Sequence, residues 1–557
     1  MTLIAQIKFL LLGSIIFMIS SCGTSKSLHH KPILEGYNNS ISNRIVHSDS
    51  LITLDNNILR LSKYGHWQLL VKGDPLERGL ITGSLTQELL QYQEKVFLDK
   101  VGDIVPSKFK QRLLRGFLKW FNRKLYLNIK EEYKTEIYGL TRYASNEFDY
   151  LAPPYLRSLY LHGAHDIGHA LQDLALVGCS SFAAWNSKTP DGKLVIGRNF
   201  DFYAGDDFAK NKIISFVKPN SGIPFMTVTW GGMIGAASAM NVNGLTVTLN
   251  AGKSDMPLIA KTPISLLARE IIQYASTIKE AIAIAKKSSV FVSESIMIGS
   301  AVDNKAILIE ISPKNFGVYD VDNTNQLICS NHFQSDAYSD DKNNSKHILE
   351  SHSKYRFDKM TELFDENNTI TPNKAVEILR EKKGLGNKSI GYGNEKSLNQ
   401  LLAHHGVVFK PSERQVWVSA SPYQLGAFVA YDLDDVFSDS FSTTSSFEKE
   451  ELVIAEDPFL YSQEYKNYEA YRVFDRKMDL VLNNKKQEIY QEELTNYIHL
   501  NPDLWIPYYK VGKYYYQLKY YAKALPYFEM ALQKEITTES DKEAVNKHLK
   551  KCKNKID

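Results

Sequence analysis

At 557 residues, with 43% apolar and 23% charged side chains, the chain is long enough for roughly two to four domains of ordinary globular composition. A net charge of +3 gives no global electrostatic case for nucleic acid, and no nucleic-acid partner is expected. Four cysteines, Cys22, Cys179, Cys329 and Cys552, with no CxxC or Cys/His ligand spacing, argue against a disulfide framework and a structural zinc.

The N-terminus opens with Lys8, an apolar run over residues 9–19, and Ser20-Ser21-Cys22-Gly23. The run is too short to span a bilayer comfortably. A charged region, a short apolar region and small residues before a cysteine resemble a bacterial lipoprotein signal over 1–22 with Cys22 lipidated; the alternative is a plain signal peptide cut nearby. The first reading implies a bacterial cell-envelope protein, anchored to a membrane through Cys22 and facing outside the cytoplasm. Residues 23–64 are polar and read as a tether. Residues 65–178 read as a mainly helical prosegment. Ser84-Leu85-Thr86-Gln87 has capping-box spacing, and further helices are expected over 107–125 and 129–146. From Cys179 to residue 435 short β-rich runs recur, at 179–201, 212–230, 235–250, 294–319 and 405–433. Asn243-Gly244 and Asp303-Asn304 are turn signals, and helices interrupt near 263–275 and 277–288. This pattern predicts an α+β sandwich. Residues 436–452 are Ser/Thr-rich and read as a linker. Residues 453–557 are helical and rich in tyrosine. Tyr508, Val511, Gly512, Tyr515, Ala524, Phe528 and Ala531 fit one tetratricopeptide-like repeat, which would bind a protein partner; an unrelated helical hairpin is the alternative.

Cys179 begins a strand-like run, and after the turn 188–192 a second strand carries Arg198 and Asp201. A hairpin returns the chain, so a thiol, a cation and a carboxylate meet at one end of a sheet, a setting for covalent catalysis. The stretches "GCSSFAAW", "GRNFDF" and "SNHF" resemble the acyl-CoA:6-aminopenicillanate acyltransferase family of N-terminal-nucleophile hydrolases, with the choloylglycine hydrolases and acid ceramidases as wider relatives. The resemblance covers roughly residues 65–435. It implies a four-layer αββα fold, and a precursor that cuts itself between Gly178 and Cys179 so that Cys179 becomes the nucleophile. It also implies roles for Arg198 and Asp201 beside the nucleophile, for Asn250 and Asn331 as oxyanion donors, and for Arg356 in the charged network.

An N-terminal cysteine carries its own base. Its α-amine has an ordinary pKa of about 7.7–8.0 against about 8.5 for the thiol, so no histidine, metal or cofactor is required. His332, beside Asn331, reads as structural. His404-His405 are expected to face opposite ways and to hold no metal. The reaction expected is hydrolysis of a linear amide of an N-acyl compound through acyl-Cys179. The rivals are acyl transfer to an amine and a catalytically inactive membrane-tethered binding protein. Segment 107–125 has seven cations, no acid, and Phe109, Leu113, Phe117, Trp120 and Phe121 at near-helical spacing. Either its stripe packs on the core, or it lies on an anionic membrane and the substrate is drawn from lipid.

Overall fold

The computed structural model describes residues 24–163, 166, 177–255, 259–483 and 488–556. Cys22 and the apolar run before it lie outside the described residues. Four strands precede the Gly178–Cys179 bond: β1 (Ile45–Ser48), β2 (Leu51–Leu54), β3 (Asn57–Leu61) and β4 (Trp67–Gly73). The junction itself lies in β5 (Val177–Asn186), which pairs with β6 (Gly192–Phe202). Next come β7 (Ile213–Pro219), β8 (Phe225–Thr229), β9 (Ser238–Asn241) and β10 (Leu245–Ala251). They are followed by β11 (Glu294–Ser300), β12 (Lys305–Ile311), β13 (Phe316–Tyr319) and β14 (Gln326–Cys329). The last three are β15 (His405–Lys410), β16 (Gln415–Ser419) and β17 (Phe428–Asp432).

Among the described residues these strands form two sheets. The large one runs β1-β2-β3-β4-β7-β8-β9-β10-β11-β12-β13, and the small one β14-β5-β6-β15-β16-β17. The turns behave as their sequences demand. Gly244 has φ +75°, and a side chain there would collide with Ala301 and the Pro411 carbonyl. Asn304 takes φ +48°, a left-handed conformation that asparagine tolerates better than most residues.

Two expectations about the upstream chain are corrected. Residues 45–61 are not tether; they form β1–β3, whose Thr53, Leu54, Ile58 and Leu59 are buried. The helical reading of 65–178 is corrected at its start, where β4 pairs in parallel with β7 along Trp67–Gly73 and Ile213–Pro219; the described remainder is mainly helical. The alternation of Leu69 and Val71 with Leu70 serves both faces of the sheet, a pattern easily taken for part of a helix. The helix after β4, α1 (Pro75–Leu85), is capped by Asp74 and Glu77 in a capping box with Pro75 in its first turn. Ser84 and Gln87 make no such box; Ser84 lies inside α1, and the Thr86 hydroxyl donates to the Thr82 carbonyl. Then follow α2 (Gln87–Ile104), α3 (Lys108–Phe121), α4 (Glu131–Leu140) and α5 (Pro154–His162). Buried Glu136 of α4 accepts from Arg78 of α1 and from Arg269.

The core has the four-layer αββα order. Leu70, Ile214, Phe216, Met297 and Leu308 of the large sheet meet Ala183, Leu194, Ile196, Val407 and Val418 of the small one. On the far face of the large sheet, Leu69, Val247 and Ile298 pack against α1, α6 (Ile264–Tyr274) and α7 (Ile278–Lys287). On the far face of the small sheet, Phe182, Val195 and Val408 pack against α8 (Ser353–Glu366) and α9 (Pro372–Leu379). Odd positions of β5 therefore face the other sheet and even ones face α8, the period-2 rule that places the site. No described helix is long and apolar enough to cross a membrane.

The C-terminal helices are α10 (Gln463–Asn483), α11 (Gln491–Leu500), α12 (Trp505–Gln517), α13 (Tyr521–Leu532) and α14 (Glu539–Ile556). Gly512 lies against the Phe528 ring, so α12 and α13 approach closely. The segment before them is no solvated linker. Phe447 is buried between the sheets, and Ile454 exchanges both backbone hydrogen bonds with Phe428 of β17. The helical core also takes in Leu401 and Leu425 of the sandwich. Glu535 pairs with Lys388 and Lys396, and Arg472 pairs with Asp206. Deleting 451–557 is therefore expected to leave the sandwich insoluble or unfolded, read by soluble yield and size-exclusion profile. Soluble, folded truncated protein would contradict this docking.

Candidate active site

The β5–β6 register sets Cys179 across from Phe200, Ser181 across from Arg198, and Gly178 across from Asp201. Alternation then divides the charges. The Cys179 thiol and Arg198 lie on the face toward the large sheet; Asp201 lies on the face toward α8. Arg198 Nη2 is 3.7 Å from Cys179 Sγ. The guanidinium is held by the carbonyls of Ala237 and Leu249 and by Ser238 Oγ.

Asn331 lies two residues beyond β14. Extending the β14–β5 register (Cys329 across from Ser181) brings it opposite Cys179. Its Oδ1 accepts from the Cys179 N–H at 2.9 Å and from Arg356 Nη2 at 2.6 Å. Its Nδ2 donates to the Ala251 carbonyl at 3.0 Å. Arg356, on α8, also donates to the Cys179 carbonyl and to Ser180 Oγ. Asn250 accepts from Ser181 Oγ at 2.7 Å, and its Nδ2 makes longer bonds to the carbonyls of Cys329 and Ser330, 3.4 and 3.3 Å. Asn331, Arg356 and Arg198 thus meet at Cys179 itself, Asp201 lies across from Gly178, and Asn250 bonds the neighbouring Ser181, Cys329 and Ser330. In this uncut chain Asn331 grips the cysteine N–H and has its amide donor committed elsewhere.

Burial dominates the electrostatics. It pushes the Cys179 thiol up to about 11; Arg198 opposes the rise, and Asp201 adds to it. Arg198 pulls the thiol pKa down by its charge, but in the uncut chain this pull is smaller than the cost of desolvation. Asp201 is fully buried, and neither carboxylate oxygen has a hydrogen-bond partner among the described residues. Desolvation raises it to about 7 against the pull of Arg356 and Arg198. A buried carboxylate without a donor is costly and rare.

Three residues were missed in the sequence. Gln400 is buried, its Nε2 has no partner among the described residues, and a Cβ on Gly178 would lie 2.8 Å from that nitrogen. Any side chain before Cys179 would have to displace the carboxamide. Ser238 and His405 support Arg198. Ser238 Oγ accepts the Arg198 N–H and also hydrogen-bonds His405 Nε2 at 2.8 Å. His405 Nδ1 is in turn hydrogen-bonded to His404 Nδ1 at 2.8 Å. Burial holds both imidazoles well below their ordinary pKa, so both are neutral. The expectation that the two rings face opposite ways fails because His404 precedes the start of β15, where strand alternation does not apply. His332 accepts or donates only locally here, at Ser353 Oγ.

Cys179 belongs to an apolar cluster with Phe200, Phe202, Phe208 and Ala237, against which Phe97 and Trp230 pack. Four of these rings, Phe97, Phe202, Phe208 and Trp230, also line a cleft together with Leu90. Cys179 therefore packs on Phe202 and Phe208, two of the rings that line this apolar cleft.

Residues 187–421 match the model of the acyl-coenzyme A:6-aminopenicillanic acid acyl-transferase family. The match begins after Cys179 and takes in Arg198, Asp201, Asn250, Asn331 and Arg356. An uncharacterized protein of Archaeoglobus fulgidus is 25% identical over 270 residues, 46% of this chain and 45% of that protein, so the chain spans about half the length of this relative. A solved Caenorhabditis elegans ortholog of N-acylethanolamine-hydrolyzing acid amidase is 18% identical with a TM-score of 0.31, covering 42% of this chain and 93% of that one. A mutant of the conjugated bile acid hydrolase of Clostridium perfringens is 15% identical with a TM-score of 0.32, covering 49% and 95%.

Proposed function

We propose that the protein is a self-cleaving cysteine amidohydrolase acting on the linear amide of an N-acyl compound. The observation that carries this is Asp201: a buried, unpartnered carboxylate set across the hairpin from Gly178. Cleavage supplies the missing partner. The Cys179 sulfur attacks the Gly178 carbonyl carbon, the C–N bond breaks, and the nitrogen leaves as the Cys179 α-amine with the thiol proton. Water then hydrolyses the Gly178 thioester, giving a carboxylate and the free thiol. The new amine keeps its place beside Asn331 and takes Asp201 as counter-ion when protonated.

The same atoms repeat the chemistry on substrate. The neutral α-amine accepts the thiol proton, sulfur attacks the amide carbonyl, and the amine leaving group departs with that proton. Charge developing on the substrate oxygen needs donors; Asn250, whose amide bonds are long, and Asn331 are the candidates. Water releases the acid from acyl-Cys179. Transfer to an amine instead of water is the second reading, supported by the description of the matching family. An inactive binding protein is disfavoured, because it gives Asp201 nothing to pair with. The envelope location, the Cys22 lipid and a protein partner for the C-terminal helices belong to this proposal on the sequence signals alone.

The test supplies purified wild type with long- and short-chain N-acyl amides, with and without an amine acceptor. The expected result is a Cys179-bearing fragment heavier by the acyl group, with release of free amine. A processed chain that forms no adduct and releases no amine from any of these amides contradicts the reading. Acylated acceptor in place of free acid would move it to acyl transfer.

A further inference from the structure

We infer that α3 is a docking surface for an anionic lipid bilayer. The inference does not depend on the reaction chemistry. The packing reading of this segment predicts its apolar stripe against the core, and the structure shows the reverse. Phe109, Leu113, Phe117 and Trp120 are 68%, 58%, 45% and 38% exposed. Their spacing of four, four and three residues puts them on one side of a helix. Only the C-terminal end of the stripe anchors α3: Phe121, four residues after Phe117 and stacked on its ring, is buried and packs edge-on to Phe291. Leu127 and Tyr150, 64% and 63% exposed, add to the apolar surface, and Arg115 ties Tyr150 to α3 through its carbonyl.

The charge around this stripe has one sign. Residues 107–125 hold seven lysines and arginines and no acid. No ion pair among the described residues involves any of the seven; the pairs nearest in sequence are Lys95 with Asp99 and Lys130 with Glu270. Arg115 and Arg123 donate instead to the neutral carbonyls of Tyr150 and Trp120. Arg123 also stacks on Trp120, 4.3 Å from the ring centre, which joins a cation to an exposed indole. Burial and the like charge of Arg115 depress Lys119, as expected of cations with no counter-ion nearby. An apolar stripe carrying Phe and Trp, flanked by unpaired cations, is the form of an interfacial helix lying in the plane of a bilayer with anionic headgroups. The stripe fits the acyl boundary and the cations fit the headgroups. The helix before α3 in sequence, α2, supplies Leu90 and Phe97 to the cleft whose Phe202 and Phe208 also pack with Cys179. Docking through α3 therefore brings an apolar substrate source near the cleft.

The test uses a chain starting at Gly23, which lacks Cys22 and keeps every described element. It is cosedimented with phosphatidylcholine vesicles with and without phosphatidylglycerol, and its melting curve is recorded alongside. Binding to the anionic vesicles and little to the neutral ones is expected. Lys110→Glu, Arg112→Glu and Lys119→Glu together should weaken binding at least about tenfold. Phe109→Ser with Phe117→Ser should weaken it comparably, and neither set should shift the melting curve, because the changed side chains are exposed or half-buried. The inference is overturned if wild type does not bind, or if either variant set binds as wild type does. It is also overturned if the protein is a dimer that Phe109→Ser disperses, since the face would then belong to a second copy. A failure here leaves acyl-Cys179 detection on soluble amides untouched, so the two proposals fail separately.

Discussion

Cys179→Ala should yield one uncut chain without amidase turnover, a loss on the order of a million-fold if the nucleophile carries the whole reaction. No other described thiol can replace it. Cys329 is buried, its pKa lies well above the ordinary value through desolvation, and its sulfur donates to the Ser330 carbonyl. Cys552 lies in the C-terminal helices. The fold should persist, because alanine fills a position whose neighbours are Phe200, Phe208 and Ala237. Intact mass and a turnover assay check both halves. Cleavage at Gly178 in the alanine variant would remove the thiol from the self-cleavage step.

Asp201→Asn should act with opposite signs before and after cleavage. In the uncut Cys179→Ala background, Asp201 titrates at about 7 folded and near its ordinary 3.8 unfolded. Between those values the folded chain binds the extra proton, so stability falls as pH rises through the window. The full difference is at most about 4 kcal/mol. Asparagine removes that penalty, so the uncut chain should melt higher at pH 8 and almost unchanged near pH 4. In the otherwise wild-type chain the same change removes the counter-ion of the α-amine, and turnover should drop by about 100-fold or more. Thermal melts across pH and a turnover assay read the two effects. A variant that melts no higher at pH 8 would mean that Asp201 already has a partner in the uncut chain.

The β5–β6 hairpin was legible because its residues are local. Cys179, Arg198 and Asp201 lie on two adjacent strands, and a period of two with one turn suffices to place them. Asn331 and Arg356 were legible through motif resemblance, and the structure gives the physical cause: Asn331 continues β14 opposite Cys179, and α8 delivers Arg356 to the same peptide. Gln400 was not legible. It sits in a loop whose position depends on Tyr468, whose hydroxyl donates to the Leu401 carbonyl, and no local pattern encodes that contact. The strands β1–β4 were hidden for a similar reason. Only β4 pairs with β7, more than a hundred residues downstream, and β1–β3 reach the large sheet through β4, so a short polar-flanked run carries no sign of which sheet it will join. The Ser/Thr-rich stretch before the C-terminal helices has a loop composition, but its phenylalanines fill the sandwich.

Self-cleavage is the claim on which the chemistry rests, and the mass of the purified wild-type protein tests it most directly. Two fragments that remain associated are expected, one of them beginning at Cys179, held together by the β4–β7 ladder after the bond is cut. A single uncut chain that turns over amides would contradict the account.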